Sequence, residues 1–238
     1  MTRLLLPLLL AAVPLFAQLP ERPPRRVLFI GNSLTAGNDL PAMLCRMAEA
    51  VGTTLECAAE THPNYALNDH GRRGNARRRV SSGTWDLVIM QQGPSSLPDS
   101  RDFLIAWSEE WAKEIRKRGG RAALLTVWPS RQRERDFARV IESYRRAAAR
   151  SGALLIPAGK VWRALLERDP SIPLYGEDGF HPSPTGTWAA ALTAYAAIFG
   201  SIPDELLDPE TAGRIAGVAI DAAHLREIAA IVASKVAK

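Results

Sequence analysis

The stretch VLFIGNSLTAGND, residues 27–39, decides how this chain is read. Val27–Ile30 is an unbroken apolar run of strand length. Such a run suits a strand buried on both faces of a parallel sheet. Gly31 ends it and permits a tight turn and the close approach of another group. Asn32 and Ser33 follow. Soon after, Leu40, Met43, Leu44, Met47 and Val51 recur at helical spacing, with Asp39 placed as a cap. A strand that turns directly into a helix sets the residues between them at the carboxyl edge of the sheet. Ligands of open α/β folds bind at that edge. Ser33 is therefore a candidate nucleophile, although the stretch alone also fits a plain turn or helix cap.

Outward from this segment, short apolar runs alternate with longer helical patterns. Strands are predicted at Val27–Ile30, Thr53–Ala59, Leu87–Met90, Ala122–Val127 and Leu154–Ile156. Helices are predicted at Leu40–Val51, Arg101–Arg118, Gln132–Arg150, Lys160–Glu167, Thr185–Phe199 and Ala222–Val236. This alternation implies an α/β fold, a parallel sheet with helices on both faces. The segments after the strands are then the ones to inspect: GNSLTAGND, ETHPNYALNDH, QQGPSS and WPSRQRE, with the late segment GEDGFHPSPTG.

The first residues read MTRLLLPLLLAAVPLFAQLPERPP. Arg3 followed by the apolar core Leu4–Phe16 has the form of a signal peptide, and the core is short for a bilayer span. Residues 1–20 are read as that signal and residues 21–238 as a single domain. The protein is expected to be exported, to the periplasm or the exterior, with no stable membrane insertion after cleavage. An uncleaved tether is the alternative, which Pro7 and Pro14 disfavour. The 238 residues carry a net charge of +5, spread over several segments and mostly on arginine, so nucleic acid is not an expected partner. The segment GRRGNARRR, residues 71–79, reads as a solvated loop, with a site for an acidic substrate as the alternative. Export permits a disulfide between Cys45 and Cys57. The helical stripe argues against it, because Cys45 lies off the buried face, and the bridge is not expected.

The chemistry enters with Asp178, three residues before His181. At that spacing a carboxylate can orient an imidazole. Pro182 and Pro184 hold the segment stiff, and Ser183 caps the next helix. Ser33, Asp178 and His181 then supply nucleophile, orienting acid and base, the roles that define a catalytic triad whatever their order in the chain. The α/β-hydrolase elbow G-x-S-x-G is absent, since Thr35 stands where its second glycine belongs. His62 and His70 lack metal-ligand spacing, and neither a metal nor a cofactor is expected.

These blocks resemble the SGNH hydrolases, also called the GDSL esterase/lipase family. GNSL matches the first block with Asn32 in place of the usual aspartate. DGFH, residues 178–181, matches the last. The likeness runs from about residue 26 to residue 199. It implies a flavodoxin-like, three-layer α/β/α fold with about five parallel strands. It also implies an oxyanion hole with three donors: the N–H of Ser33, a backbone N–H of the second block, and a side-chain amide of the third. NYALNDH resembles the second block with Asn64 where glycine is usual. The third block departs further. DLVIMQQGPSS has Gly93 aligned but no asparagine, which places the chain in a divergent branch with glutamine at the strand end. Gln91 or Gln92 would supply the amide. Strand alternation points them to opposite faces, and Gln91 is favoured. Asn38 and Trp128 are candidates for lining the substrate crevice.

The expected activity is that of an exported serine ester hydrolase on small-molecule or carbohydrate esters, with acetyl groups on polysaccharide in view. O-acyl transfer onto glycans, or glycan binding without turnover, are the alternatives.

Overall fold

A computed structural model of the chain describes residues 23–236. The expected signal peptide lies outside the described residues. Among the described residues no helix is long and apolar enough to cross a membrane.

In chain order the elements are β1 (Arg26–Gly31), α1 (Ser33–Ala36), α2 (Leu40–Ala50), β2 (Glu56–Thr61), α3 (Leu67–Arg73), α4 (Asn75–Ser82), β3 (Leu87–Met90), α5 (Pro98–Lys117), β4 (Arg121–Leu125), α6 (Phe137–Ser151), β5 (Leu154–Ile156), α7 (Ala158–Arg168), α8 (Pro184–Phe199), α9 (Pro209–Ala216) and α10 (Ala222–Val236). Five strands form one parallel sheet in the order β2-β1-β3-β4-β5. The central runs Val27–Ile30 and Leu87–Met90 are wholly buried, which is why they are apolar at every position. On one side of the sheet α2 packs on α8, and α10 packs on α8 and α7. On the other, α5 packs on α6, and α3 on α5. Helix α8 is buried from Thr185 to Ile198, and its sequence is apolar or small around the whole circumference.

This topology positions the site. From β1 the chain crosses to β2 on one side, and then to β3 on the other. The order reverses between β1 and β3, and a crevice opens above such a point. Gly31 is paired with Thr61, and Ile30 with Met90. The chain leaving β1, β2 and β3 therefore delivers Asn32–Ser33, His62–Tyr65 and Gln91–Gly93 to one crevice.

Three sequence expectations need correction. The arginine-rich segment is not an open loop: it lies in α3 and α4, separated at Gly74. Helix α4 buries only Ala76 and Val80, too thin a stripe to announce itself. Helix α9, capped by Asp208 and started by Pro209, was not anticipated. Finally, Cys45 and Cys57 are joined, with their Cα atoms 6.1 Å apart. The stripe argument asked only whether Cys45 faces the core. It faces sideways instead, toward the edge strand β2, which carries Cys57.

Candidate active site

Ser33 is the first residue of α1, and Asn32 is its cap. Asn32 Oδ1 accepts from the Leu34 N–H at 3.1 Å. Below this turn lies Gln91, buried to 1% exposure. Its Oε1 accepts from the Asn32 N–H at 3.0 Å and the Thr35 hydroxyl at 2.9 Å. Its Nε2 donates to Asn32 Oδ1 at 2.8 Å and to the Gln92 carbonyl at 2.9 Å. Asn32 Nδ2 in turn donates to the Tyr65 carbonyl at 3.0 Å. Two neutral amides thus satisfy one another and tie the ends of β1, β2 and β3 together. A β-carbon on Gly31 would overlap Gln91 Oε1 and Thr35 Oγ1, so only glycine fits there. Underneath, His70 is buried, and its Nε2 lies 2.8 Å from the Gly31 carbonyl. That contact requires an N–H at Nε2. Burial lowers the His70 pKa, which disfavours the charged ring.

His181 and Asp178 come from the loop between α7 and α8. Asp178 Oδ1 accepts from the N–H groups of Phe180 and His181, each at 2.9 Å. Asp178 Oδ2 lies 2.5 Å from His181 Nδ1. The His181 contact and the two backbone donors hold the Asp178 carboxyl down to a pKa of about 2. An ionised carboxylate can only accept, so Nδ1 carries the proton and Nε2 the lone pair. His181 Nε2 lies 2.9 Å from Ser33 Oγ. The three residues that the sequence brought forward therefore meet, although Ser33 and His181 are 148 positions apart in the chain.

The loop is anchored from beneath. The Gly176 N–H donates to the His181 carbonyl at 2.8 Å, and Tyr175 bridges to Pro182. Tyr175 Oη donates to the Pro129 carbonyl at 2.8 Å. Trp128 Nε1 donates to the Phe180 carbonyl at 3.1 Å. Trp128 itself is buried and stacks on Trp162, the ring centroids 3.5 Å apart. It does not line the crevice, as the sequence reading expected. It supports the base loop.

Two hollows flank Ser33. One, of about 430 Å³, is lined by Asn38, Thr61, His62 and Pro63 together with Ser33 and His181. The other, of about 320 Å³, is lined by Asn64, Tyr65, Gln92, Gly93, Ser95 and Phe180 together with Ser33. Among the described residues, the backbone N–H groups of Ser33, Asn64 and Gly93 have no hydrogen-bond partner. Asn64 has φ +62°, in the left-handed region that glycine prefers and asparagine tolerates. The glutamine expectation is corrected. Gln91 is spent under the Ser33 turn. Gln92 does face the second hollow, but its Oε1 accepts from the Leu67 N–H and its Nε2 donates to Ser95 Oγ at 2.8 Å and the Ser100 carbonyl at 3.4 Å. A larger apolar hollow of about 750 Å³, between β5, α8 and α10, holds none of these groups, so chemistry rather than size locates the site. Among the described residues no group of three or more His, Cys, Asp or Glu side chains is placed to hold a metal ion.

Sequence reasoning missed the company around Asn64. His62 and Tyr65 stack at 4.7 Å, and the Arg73 guanidinium sits 4.8 Å over the Tyr65 ring. His62 also pairs with Glu60 at 2.9 Å. The only signal for them was their place after a strand.

No family model matches the chain, and no curated protein does. Solved structures do. A protein from Slackia heliotrinireducens, provisionally described as an SGNH hydrolase, is 28% identical over 71% of this chain and 96% of its own, with a TM-score of 0.61. This chain has an SGNH-like α/β/α fold. A DUF4886 family protein from Bacteroides uniformis shares the SGNH-like fold over 89% of this chain and 94% of its own, at 18% identity and a TM-score of 0.72. An acetyl xylan esterase matches over 73% of this chain and 99% of its own, at 16% identity and a TM-score of 0.61. Against the blocks that the sequence resembles, the departures are Asn32 in the first, Asn64 in the second and the paired glutamines in the third.

Proposed function

We propose that the protein is an exported serine ester hydrolase that works through an acyl-enzyme. The observation that carries the reading is the continuous contact from Ser33 Oγ to His181 Nε2 at 2.9 Å and from His181 Nδ1 to Asp178 at 2.5 Å. His181 takes the hydroxyl proton of Ser33 as Oγ attacks the ester carbonyl. Asp178 holds the imidazole in the required tautomer and stabilises its charged form. The negative oxygen of the tetrahedral intermediate turns toward the second hollow, where the N–H groups of Ser33, Asn64 and Gly93 receive it. Gly93 thereby takes the part that the sequence assigned to a glutamine side chain. His181 then gives its proton to the leaving alcohol. Water repeats the cycle on the acyl group, entering with His181 as base.

Small acyl esters are the proposed substrates, with acetyl esters of carbohydrates foremost. The modest size of the two hollows and the fold shared with an acetyl xylan esterase support this. The Cys45–Cys57 bridge supports export, since disulfides persist in oxidising compartments.

The test is turnover of p-nitrophenyl acetate, with covalent labelling by a fluorophosphonate. Ser33→Ala and His181→Ala should each lower kcat by about 10⁴-fold or more, and Ser33→Ala should lose the label. Wild-type turnover in either variant refutes the assignment.

A further inference from the structure

We infer that Asn38 is a positioning residue that sets the base loop in register with the nucleophile turn. This rests on the reading of Ser33 and His181 as the catalytic pair.

Asn38 follows Ser33 by one short turn and lies beside Pro182, the residue directly after His181. Its Nδ2 donates to the Pro182 carbonyl at 2.9 Å and to Thr187 Oγ1 at 2.9 Å. The chemistry of the partners fixes the amide's orientation. A carbonyl can only accept, so the nitrogen must face Pro182. Thr187 donates its own hydroxyl proton to the Ser183 carbonyl at 3.1 Å, which leaves a lone pair for the second amide proton. Both amide protons are therefore consumed within the protein, and they are not free to hold a substrate. Among the described residues, the hydrogen bonds that join residues 31–40 to residues 176–187 are these two and the Ser33–His181 bond.

The backbone points the same way. Asn38 has φ +52° and Asp39 has φ +51°, two consecutive non-glycine residues in the left-handed region. Such a pair persists only where the surroundings over-determine it. Asp39 is held by capping α2, where its Oδ1 accepts from the Ala42 N–H at 3.3 Å. Asn38 is held by the base loop. Beside it, a β-carbon on Gly37 would lie 3.3 Å from the Pro182 ring, so the two segments already run at contact distance.

The need for such a clamp follows from exposure. The side chains of His181 and Asp178 are 43% and 51% exposed. Water can compete for Ser33 Oγ and His181 Nε2 if the segments part, and a displacement of about 1 Å can cost about a hundredfold in rate. Asn38 grips the carbonyl one residue from the imidazole, and Thr187 one turn into α8, so that loop and helix move with the nucleophile.

Asn38→Gly removes the grip while allowing the same backbone conformation without strain. The expected result on p-nitrophenyl acetate is a kcat lower by about a hundredfold, with KM changed by less than about twofold. Fluorophosphonate labelling of Ser33 should slow by a similar factor, while the melting temperature stays at or above that of the wild type. Thr187→Val, which keeps Asn38 and one of its bonds, should show a smaller fall in kcat, and Thr187→Ser should restore it. Wild-type kcat in Asn38→Gly overturns the inference. So does a raised KM at unchanged kcat, which would make Asn38 a substrate contact. If Asn38→Gly lost both fold and activity, Thr187→Val would decide: a folded protein with wild-type kcat also overturns it. Failure of the catalytic reading itself would appear elsewhere, as turnover by Ser33→Ala.

Discussion

The two halves of the site are held by opposite means. The nucleophile turn sits on neutral amides, with Asn32 and Gln91 only 6% and 1% exposed. The base loop depends on a carboxylate and an imidazole that are about half exposed, and its rigidity comes from anchors beneath it: Trp128, Tyr175 and the backbone of Gly176. One half is secured by burying uncharged groups that hydrogen-bond one another. The other leaves its ionisable groups in contact with solvent and takes its stiffness from elsewhere. Substitutions in the first half should therefore disturb folding and activity together. Substitutions at the exposed charges of the second should separate them.

The largest expected effect is on the exposed side. Asp178→Asn should lower kcat by about 10³–10⁴-fold, because the amide no longer fixes the imidazole tautomer, while the melting temperature stays near that of the wild type. A large thermal destabilisation would break the contrast. The pH dependence has a definite sign. The folded pKa of Asp178 lies below its ordinary value, so its contribution is present above that value and lost only as pH falls through about 2. Asp178 should therefore add no titration of its own to a kcat/KM profile recorded above about pH 4.

Next in size is Gln91→Glu. The new carboxylate would put an oxygen against Asn32 Oδ1 and the Gln92 carbonyl, which are both acceptors. At neutral pH this should cost about 3 kcal/mol of stability, read by urea denaturation, with activity falling alongside. Burial raises the pKa of such a carboxyl. The deficit should thus be least below about pH 4.3 and grow as pH rises. A folded, fully active Gln91→Glu protein would show that the buried half is not the rigid one.

The smallest effect sharpens the comparison from beneath the loop. Tyr175→Phe deletes one hydroxyl and its bond to Pro129. The expected cost is about 1 kcal/mol, with a fall in kcat of only a few-fold, measured by the same denaturation and turnover assays. A loss of kcat as large as that of Asp178→Asn would mean that a single anchor governs the loop.

Much of this was legible from local patterns. The runs Val27–Ile30 and Leu87–Met90 announced central strands because a strand covered on both faces has no polar alternation to confuse it. Asp178 and His181 were legible because their partnership spans three residues, and Ser33 because it follows the first strand. The edge elements were harder. Strand β2 begins at Glu56 and runs to Thr61, later than the expected Thr53–Ala59, because its partly covered residues give a weak apolar signal. Alternation correctly sent Gln91 and Gln92 in different directions. It could not tell which way was down, since that depends on what lies beneath, here Thr35 and Asn32. In α6, Ile141 is only partly covered, whereas Ser143 and Ala147 are buried. Ser143 owes its place to hydrogen bonds with the carbonyls of Ser95 and Arg139, long-range and local contacts that no apolar period encodes.

The amide pair beneath Ser33 has a consequence for the conditions under which the protein works. Neither amide ionises, and a neutral dipole pair shielded from water is nearly indifferent to the ionic atmosphere. Changes of acidity or salinity would thus leave the Ser33 turn seated. Tolerance to such changes could be tuned on one wall of the crevice without disturbing the other.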